Sequence, residues 1–299
     1  MTAWFITGGT GYVGRHLLAR LAADPTADVT LLSRTLDVPK ARADWRLVRG
    51  TLEDQAGYRS ALRSDQAVIH LAAVTGKARP EAYVATNVRG THALLAAAEE
   101  SGVRRFVFVS SVAAGFRDQR HYPYAESKAE AERLVAASPL PWVIVRPTMV
   151  LGPHSPVGTG LARLALAPLP VLFGPGDLPV QPIHVDDVVT ALLTLAAGDA
   201  DGTTVELGGP EVLSMRDLLL RIRAAHGRAF RSPLRLPLGP WRTALAAVEP
   251  FLFPLLPLTA GQLASFANRG TARPHPVVDA LRPRMRGIDA MIAPARDDG

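Results

Sequence analysis

Residues Phe5 to Leu21, FITGGTGYVGRHLLARL, place four glycines in the seven positions from Gly8 to Gly14, between an apolar run and an amphipathic one. Gly9, Gly11 and Gly14 satisfy G-x-G-x-x-G, and Gly8, Gly11 and Gly14 satisfy G-x-x-G-x-x-G. Such glycines permit a tight turn, a close backbone approach to a pyrophosphate, and close packing of helix on strand. A helix opening at Tyr12 and Val13 aims its free N–H groups and the positive end of its dipole at the phosphates. The stretch reads as a dinucleotide cradle formed by Gly8, Gly11, Tyr12, Val13 and Gly14.

Around it, short apolar runs alternate with helical patterns as far as Pro147. AWFIT, VTLLS, WRLV, AVIHLA, RFVFVSS and WVIVRP read as strands, separated by helices from about Tyr12, Gln55 to Leu62, about Pro80 to Ser101, and Tyr124 to Ala137. That alternation means a parallel sheet covered on both faces. The expected fold is α/β, a Rossmann-type doubly wound parallel sheet over residues 1–150, with a smaller C-terminal substrate-binding cap. Pro and Gly crowd residues 152–182, which suits a cap over a cleft, so 151–180 and 208–299 are assigned to it. Residues 181–207, a helical pattern followed by TTVEL, are expected to return to the first domain.

The second strand decides the cofactor. Where an NAD site expects an acid for the ribose 2′-hydroxyl, LLSRT supplies Ser33 and Arg34. An acid would repel a 2′-phosphate, whereas Arg34 can pair with it and Ser33 can donate to it, with Arg15 near enough to share the contact. NADP(H) is therefore favoured over NAD(H). Further on, YPYAESKAEAERLV sets Tyr124 and Lys128 four apart, on one helix face. An ammonium near a phenol favours the phenolate, and the same Lys can hold a ribose hydroxyl. Ser111 ends the strand run RFVFVSS at the carboxyl edge of the sheet, placed to donate to a carbonyl oxygen while Tyr124 moves its proton.

Composition narrows the rest. The 299 residues are 48% hydrophobic and 20% charged, with no Cys, so disulfides and thiolate chemistry are excluded. A cytoplasmic location is compatible with this, no secretory signal pattern is read at the N-terminus, and no metal site is expected. The net charge is +6, from 30 Arg, three Lys and 27 acids. The arginines are scattered and lack interleaved aromatics, which speaks against nucleic acid as a partner and for a solvated basic surface. Ala244 to Phe266 is apolar, but Glu249, Pro250, Pro254 and Pro257 break any spanning helix. It reads as a buried or ligand-facing irregular segment, and membrane contact is disfavoured.

With these motifs in order, the chain resembles the short-chain dehydrogenases/reductases of the extended or atypical type, the NAD-dependent epimerase/dehydratase family. The resemblance rests on TGGTGYVG, HLAA (His70–Ala73), NVRGT (Asn87–Thr91), VSS ending at Ser111, YAESK, RPTMVLGP and IHVDDVV, and spans roughly residues 3–220. LGGPEVLSMRDLL and PLTAGQL further resemble the subgroup near the nucleotide-binding accessory subunit of respiratory complex I. The resemblance implies Ser111 as carbonyl-polarising donor, Tyr124 as acid/base, and Lys128 as ribose ligand. It also implies cofactor contacts from Leu71, Ala72, Ala73, Pro147 and Thr148, Asn87 near the active-site helix, and a homodimer. His70 and His184 are read as structural.

Three departures stand out. Thr51 of RGTLED occupies the place of the adenine-binding Asp, leaving Asp54 or the backbone of Leu52 to compensate. VAA follows Ser111 where sugar-nucleotide dehydratases carry an Asp-Glu pair, and only 13 positions separate Ser111 from Tyr124. The expected function is an NADP(H)-dependent oxidoreductase interconverting a carbonyl and an alcohol on a fairly apolar small molecule. The alternatives are a sugar-nucleotide epimerase and a non-catalytic NADP(H)-binding structural or redox-sensing protein.

Overall fold

The computed structural model describes residues 2–256 and 258–293. Pro257, which opens PLTAGQL, and the last residues of the expected cap, 294–299, lie outside the described residues. In chain order the first elements are β1 (Ala3–Thr7), α1 (Tyr12–Ala22), β2 (Asp28–Ser33), β3 (Arg46–Arg49), α2 (Gln55–Tyr58), β4 (Gln66–His70), α3 (Pro80–Tyr83), α4 (Thr91–Ser101), β5 (Arg105–Val109), α5 (Pro123–Ala136) and β6 (Trp142–Pro147). There follow β7 (Val150–Leu151), α6 (Pro156–Leu166), β8 (Val171–Phe173), β9 (Pro179–Val180), β10 (Ile183–His184), α7 (Val185–Ala197) and β11 (Thr203–Leu207). The chain ends through β12 (Leu213–Ser214), α8 (Met215–Ala225), β13 (Leu234–Leu236), α9 (Leu238–Leu252), α10 (Pro276–Leu281) and α11 (Ile288–Ile292).

Seven strands pair in the order β11-β6-β5-β4-β1-β2-β3, every pair parallel. All five residues of β1 are buried, because both faces of the sheet are covered. Alternate residues serve opposite cores: Trp4, Ile6, Val29, Leu31 and Ile69 pack with Leu17, Leu18 and Leu21 of α1 and with Val188 and Leu192 of α7. Phe5, Leu32, Val68, Phe106 and Phe108 pack with Leu94 and Ala98 of α4 and with Ala131 and Val135 of α5. Each large aliphatic side chain buried this way contributes about 1.5–3 kcal/mol.

The chain moves outward from β1 to β3 on one side, then returns to lay β4, β5, β6 and β11 on the other. The reversal falls between β1 and β4, and ligands in such sheets bind in the crevice beyond the carboxyl ends of the strands there. Outside the main sheet, the strand pairs β7–β10, β9–β12 and β8–β13 accompany α6, α8 and α11, joined by Leu161, Leu172, Leu218, Ile222 and Met291.

Two stretches differ from the sequence expectation. The helix expected from Pro80 to Ser101 has a π-helical middle, Val84–Gly90, between α3 and α4. That widened turn lets Asn87 leave the helical repeat and bond to two neighbouring segments. The segment 244–266, expected to be irregular and buried or ligand-facing, is partly the helix α9 and largely exposed up to Leu255. Pro250 lies inside that helix, two residues before its end, where it withholds the N–H that would bond to the carbonyl four residues back. From Thr259 onward the segment sinks inward, through Thr259, Ala260 and, in the 3₁₀ turn Gln262–Phe266, Leu263 and Ala264.

Gly8 holds the switch point together. Its φ is +76°, and a Cβ there would overlap the backbone nitrogen of Ala72 and stand 2.6 Å from the Leu71 carbonyl carbon. Gly102 has a φ of +59° but open space around its missing Cβ. Chemical denaturation should therefore separate the two: Gly102→Ala loses about 1–2 kcal/mol for conformation alone, while Gly8→Ala loses more than about 4 kcal/mol. Equal losses would contradict the steric account.

Candidate active site

The turn after β1 accounts for each of its glycines differently. A Cβ at Gly9 would meet Leu31 at 2.7 Å and Leu18 at 2.9 Å, and one at Gly14 would overlap the Gly8 carbonyl oxygen. These two are packing requirements. Gly11 is exposed, and a Cβ there would meet only the Gly8 carbonyl, at 3.2 Å, leaving its outer side clear for a ligand. It is the N-cap of α1, with no side-chain cap and no acid in the first turn. The first intrahelical bond runs from Arg15 N to Gly11 O at 2.9 Å, so the N–H groups of Tyr12, Val13 and Gly14 have no helical acceptor. An open glycine followed by an uncapped, acid-free helix start fits a pyrophosphate. The Tyr12 side chain turns away: its hydroxyl is buried, without a hydrogen-bond partner among the described residues, and burial pushes it up to about 12.

The end of β4 is fixed to this turn by His70. Its Nδ1 lies 2.7 Å from Thr7 Oγ1 and its Nε2 lies 2.9 Å from Thr91 Oγ1, which itself donates to Asn87 O at 2.7 Å. Thr7 Oγ1 also accepts from Ala72 N at 3.3 Å. The Nε2–H tautomer satisfies all of these contacts. Burial, with the nearby Lys128 charge second, pushes the imidazole down to about 3, so it is neutral and structural. Leu71 and Ala72 are thereby held against Gly8, with Ala73 next along the same loop.

At the end of β2, Ser33 Oγ accepts from Thr35 N at 3.3 Å, and Arg34 is exposed beside it. Leu52 is buried against Gly90, and its carbonyl accepts from Tyr58 Oη at 2.9 Å. That bond occupies one lone pair of the backbone group that the sequence offers to an adenine. Pro147 closes β6 opposite Leu207 of β11. Thr148 N donates to Leu207 O at 2.9 Å and Thr148 Oγ1 donates to Gln181 O, which commits its side chain to the scaffold.

Ser111 follows β5 and caps a 3₁₀ turn, Oγ accepting from Ala113 N at 3.2 Å. Tyr124 stands in the first turn of α5, with the Ser111 hydroxyl near enough to its phenol to influence its ionisation. Burial raises the Tyr124 phenol above its usual range, Tyr122 and Tyr83 add to the rise, and the nearby Ser111 hydroxyl opposes it. The three tyrosine rings form a cluster, with Tyr83 and Tyr122 centred 6.1 and 5.8 Å from Tyr124. Tyr83 Oη donates to Gly76 O at 2.6 Å, tying the loop after β4 to this cluster.

Lys128, one turn beyond Tyr124, is 2% exposed, its Nζ donating to Val109 O at 2.7 Å and lying 4.2 Å from the Phe108 ring centre. Burial pushes its ammonium down to about 7, against the opposing charge of Glu132. Burial, with Tyr122 and Tyr83 beside it, sets the Tyr124 phenol above its usual range, while the Lys128 amine lies against Val109 and Phe108.

Of the supports behind this face, the sequence offered Asn87, expected near the active-site helix, and missed Ser127, Glu132 and Arg146. Asn87 Nδ2 donates to Ser127 Oγ at 2.9 Å and to Val74 O at 3.1 Å, and Ser127 Oγ donates to Tyr124 O at 2.8 Å. One turn past Lys128, Glu132 accepts from Arg146 at 2.9 and 2.6 Å, and Arg146 reaches Glu206 at 3.4 Å. Both carboxylates are nearly buried, so these pairs are structural ties under the site rather than surface charges. His184 caps α7, accepting from Asp186 N at 3.1 Å, and burial pushes its imidazole down. Among the described residues, no group of His, Asp and Glu is arranged to hold a metal ion.

Comparison with known proteins follows the same lines. The model of the NAD-dependent epimerase/dehydratase family matches residues 4–208. A ceramide reductase from Caulobacter vibrioides is 31% identical over 234 residues, 73% of this chain and 72% of that protein. A putative dihydroflavonol 4-reductase from a Synechocystis strain is 31% identical over 251 residues, 75% of this chain and 71% of that one. Among solved structures, gox2253 superposes with a TM-score of 0.74 at 25% identity, covering 97% of this chain and 95% of its own.

The buried lysine has a measurable signature. Its folded-state value of about 7 lies below the ordinary 10.5, so the unfolded chain binds more protons between these values and stability rises with pH. Relative to Lys128→Met, the cofactor-free protein should gain about 1.4 kcal/mol of unfolding free energy per pH unit above pH 7. Urea unfolding of both proteins at pH 7 and pH 9 reads this directly. A pH-independent difference would show that Lys128 ionises normally.

Proposed function

Because the chain belongs to the NAD-dependent epimerase/dehydratase family, we propose that it is an NADP(H)-dependent oxidoreductase interconverting a carbonyl and an alcohol on a fairly apolar small molecule. The observation that carries this reading is the placement of Ser111, Tyr124 and Lys128 together, with Ser111 following β5 and Tyr124 and Lys128 one turn apart on α5. The named relatives support it, since two of them are called reductases. The Tyr83 and Tyr122 rings beside Tyr124 support an apolar substrate. Exposed Arg34 at the end of β2 supports the 2′-phosphate form of the cofactor.

In this reading Gly11, Tyr12 and Val13 hold the pyrophosphate, Ser33 and Arg34 the 2′-phosphate, and Lys128 a ribose hydroxyl. The bound nicotinamide supplies or accepts the hydride. Ser111 Oγ donates to the carbonyl oxygen and orients it toward Tyr124 Oη. A phenol whose value is raised is fully protonated at neutral pH, so Tyr124 begins reduction as an acid and passes its proton to the developing alkoxide. The buried Lys128 then stands one turn away to favour the phenolate left behind. Ala113 and Ala114, buried after Ser111, offer no carboxylate for dehydration. The reading includes a cytoplasmic location, compatible with a chain without Cys.

Two variants test it with 2-alkanones and 3-oxo esters as probe substrates and NADPH as reductant. Tyr124→Phe should lower turnover by about 10²–10⁴ and leave NADPH binding unchanged; full turnover would remove Tyr124 from the reaction. Arg34→Ala should weaken NADPH binding about tenfold or more, the loss of a charge-assisted phosphate contact, with NADH binding unaffected. Equal weakening of both would place 2′-phosphate recognition elsewhere.

A further inference from the structure

Helix α9 carries two charged side chains, and both are bonded to the body of the protein. Arg242 Nη1 and Nη2 donate to the Asp118 carboxylate at 2.6 and 3.1 Å, and Glu249 Oε2 accepts from Ala260 N at 3.1 Å. Its exposed apolar side chains include Trp241, Val248, Phe251 and Leu252, and Leu255 follows in the next turn. Phe251 and Leu255 are 83% and 80% exposed. A water-facing helix normally shows the opposite order, apolar in and polar out. Single exposed apolar residues are ordinary, but five on one helix and its turn form an interaction surface.

The charge around this helix selects its partner. Between Asp217 and Asp279 the sequence has eight arginines and one acid, Glu249. Arg228, Arg231 and Arg235, which lead into α9, are all exposed. A second copy of the chain docked about a two-fold axis would bring these arginines toward their own counterparts. Anionic headgroups neutralise them instead, while Trp241, Phe251 and Leu255 enter the apolar boundary below.

We propose that α9 and the turn after it dock on an anionic lipid surface. The protein lies on that surface without crossing it, since no helix among the described residues is long and apolar enough to span a bilayer. Pro250 and Pro254, which count against a spanning helix, place no obstacle before one lying flat. The face also adjoins the candidate site. Lys77 Nζ donates to Leu256 O at 2.6 Å and lies 4.9 Å from the Phe253 ring centre, pinning the turn after α9 to the loop that Tyr83 fastens beside Tyr124. The docking itself is independent of the chemistry at Tyr124.

Co-sedimentation of the full chain with vesicles tests this. With vesicles of equal parts phosphatidylglycerol and phosphatidylcholine the protein should pellet, and with pure phosphatidylcholine it should stay largely in solution. The double variant Phe251→Ser, Leu255→Ser should lose about tenfold or more in the bound-to-free ratio while its thermal unfolding stays unchanged, as befits two exposed side chains. Failure of the wild type to pellet with the anionic vesicles would overturn the proposal, as would undiminished binding of the variant. So would a dimer in sedimentation equilibrium that the double variant breaks while the wild type ignores both vesicles, which would assign the face to a second copy.

Discussion

Between the turn after β1 and the end of β4 there is no room for a single carbon atom, and the geometry of the candidate site follows from that contact. Gly8 lies against the Leu71–Ala72 backbone, and a side chain there would part the two strands at the point where the sheet reverses direction. His70 locks the contact from beneath by bridging Thr7 and Thr91. The Thr91 hydroxyl passes the constraint to Asn87, and Asn87 passes it through Ser127 to the backbone of Tyr124. A continuous set of bonds thus links the glycine-rich turn to the helix that carries Tyr124 and Lys128.

Burial sets the protonation states at the other end of this set. Desolvation raises a phenol and lowers an ammonium, and both effects appear side by side in Tyr124 and Lys128. The result is a site with little charge of its own before the cofactor enters: a neutral phenol, a lysine poised near neutrality and a neutral histidine. Such a site suits an uncharged carbonyl flanked by tyrosine rings, and the negative charge of a bound cofactor then favours the protonated lysine. The nearly buried Glu132–Arg146–Glu206 pairs hold their charges against one another between α5, β6 and β11.

Much of this was legible in the sequence because its requirements are local. Glycine spacing after a strand run, and Tyr124 and Lys128 four apart, each encode geometry over a few residues, and the doubly wound sheet follows from the alternation of apolar runs such as AWFIT with helical patterns. Other features depend on partners distant in the chain. The π-helical turn at Asn87 answers to Val74 and Ser127, and Glu132 acquires meaning only beside Arg146 on another strand. The reading of 244–266 failed for a related reason: an apolar pattern tells how a segment prefers to be covered, and the tertiary structure leaves the outer face of α9 uncovered.

The central claim is that the cradle after β1 and the Ser33–Arg34 end of β2 together select a phosphorylated dinucleotide. Fluorescence titration of the purified protein with NADPH and NADH side by side tests it most directly. The account predicts saturable binding of both with NADPH tighter by about tenfold or more, the difference a charge-assisted contact to the 2′-phosphate provides. Equal or tighter binding of NADH, or no binding of either, would contradict it.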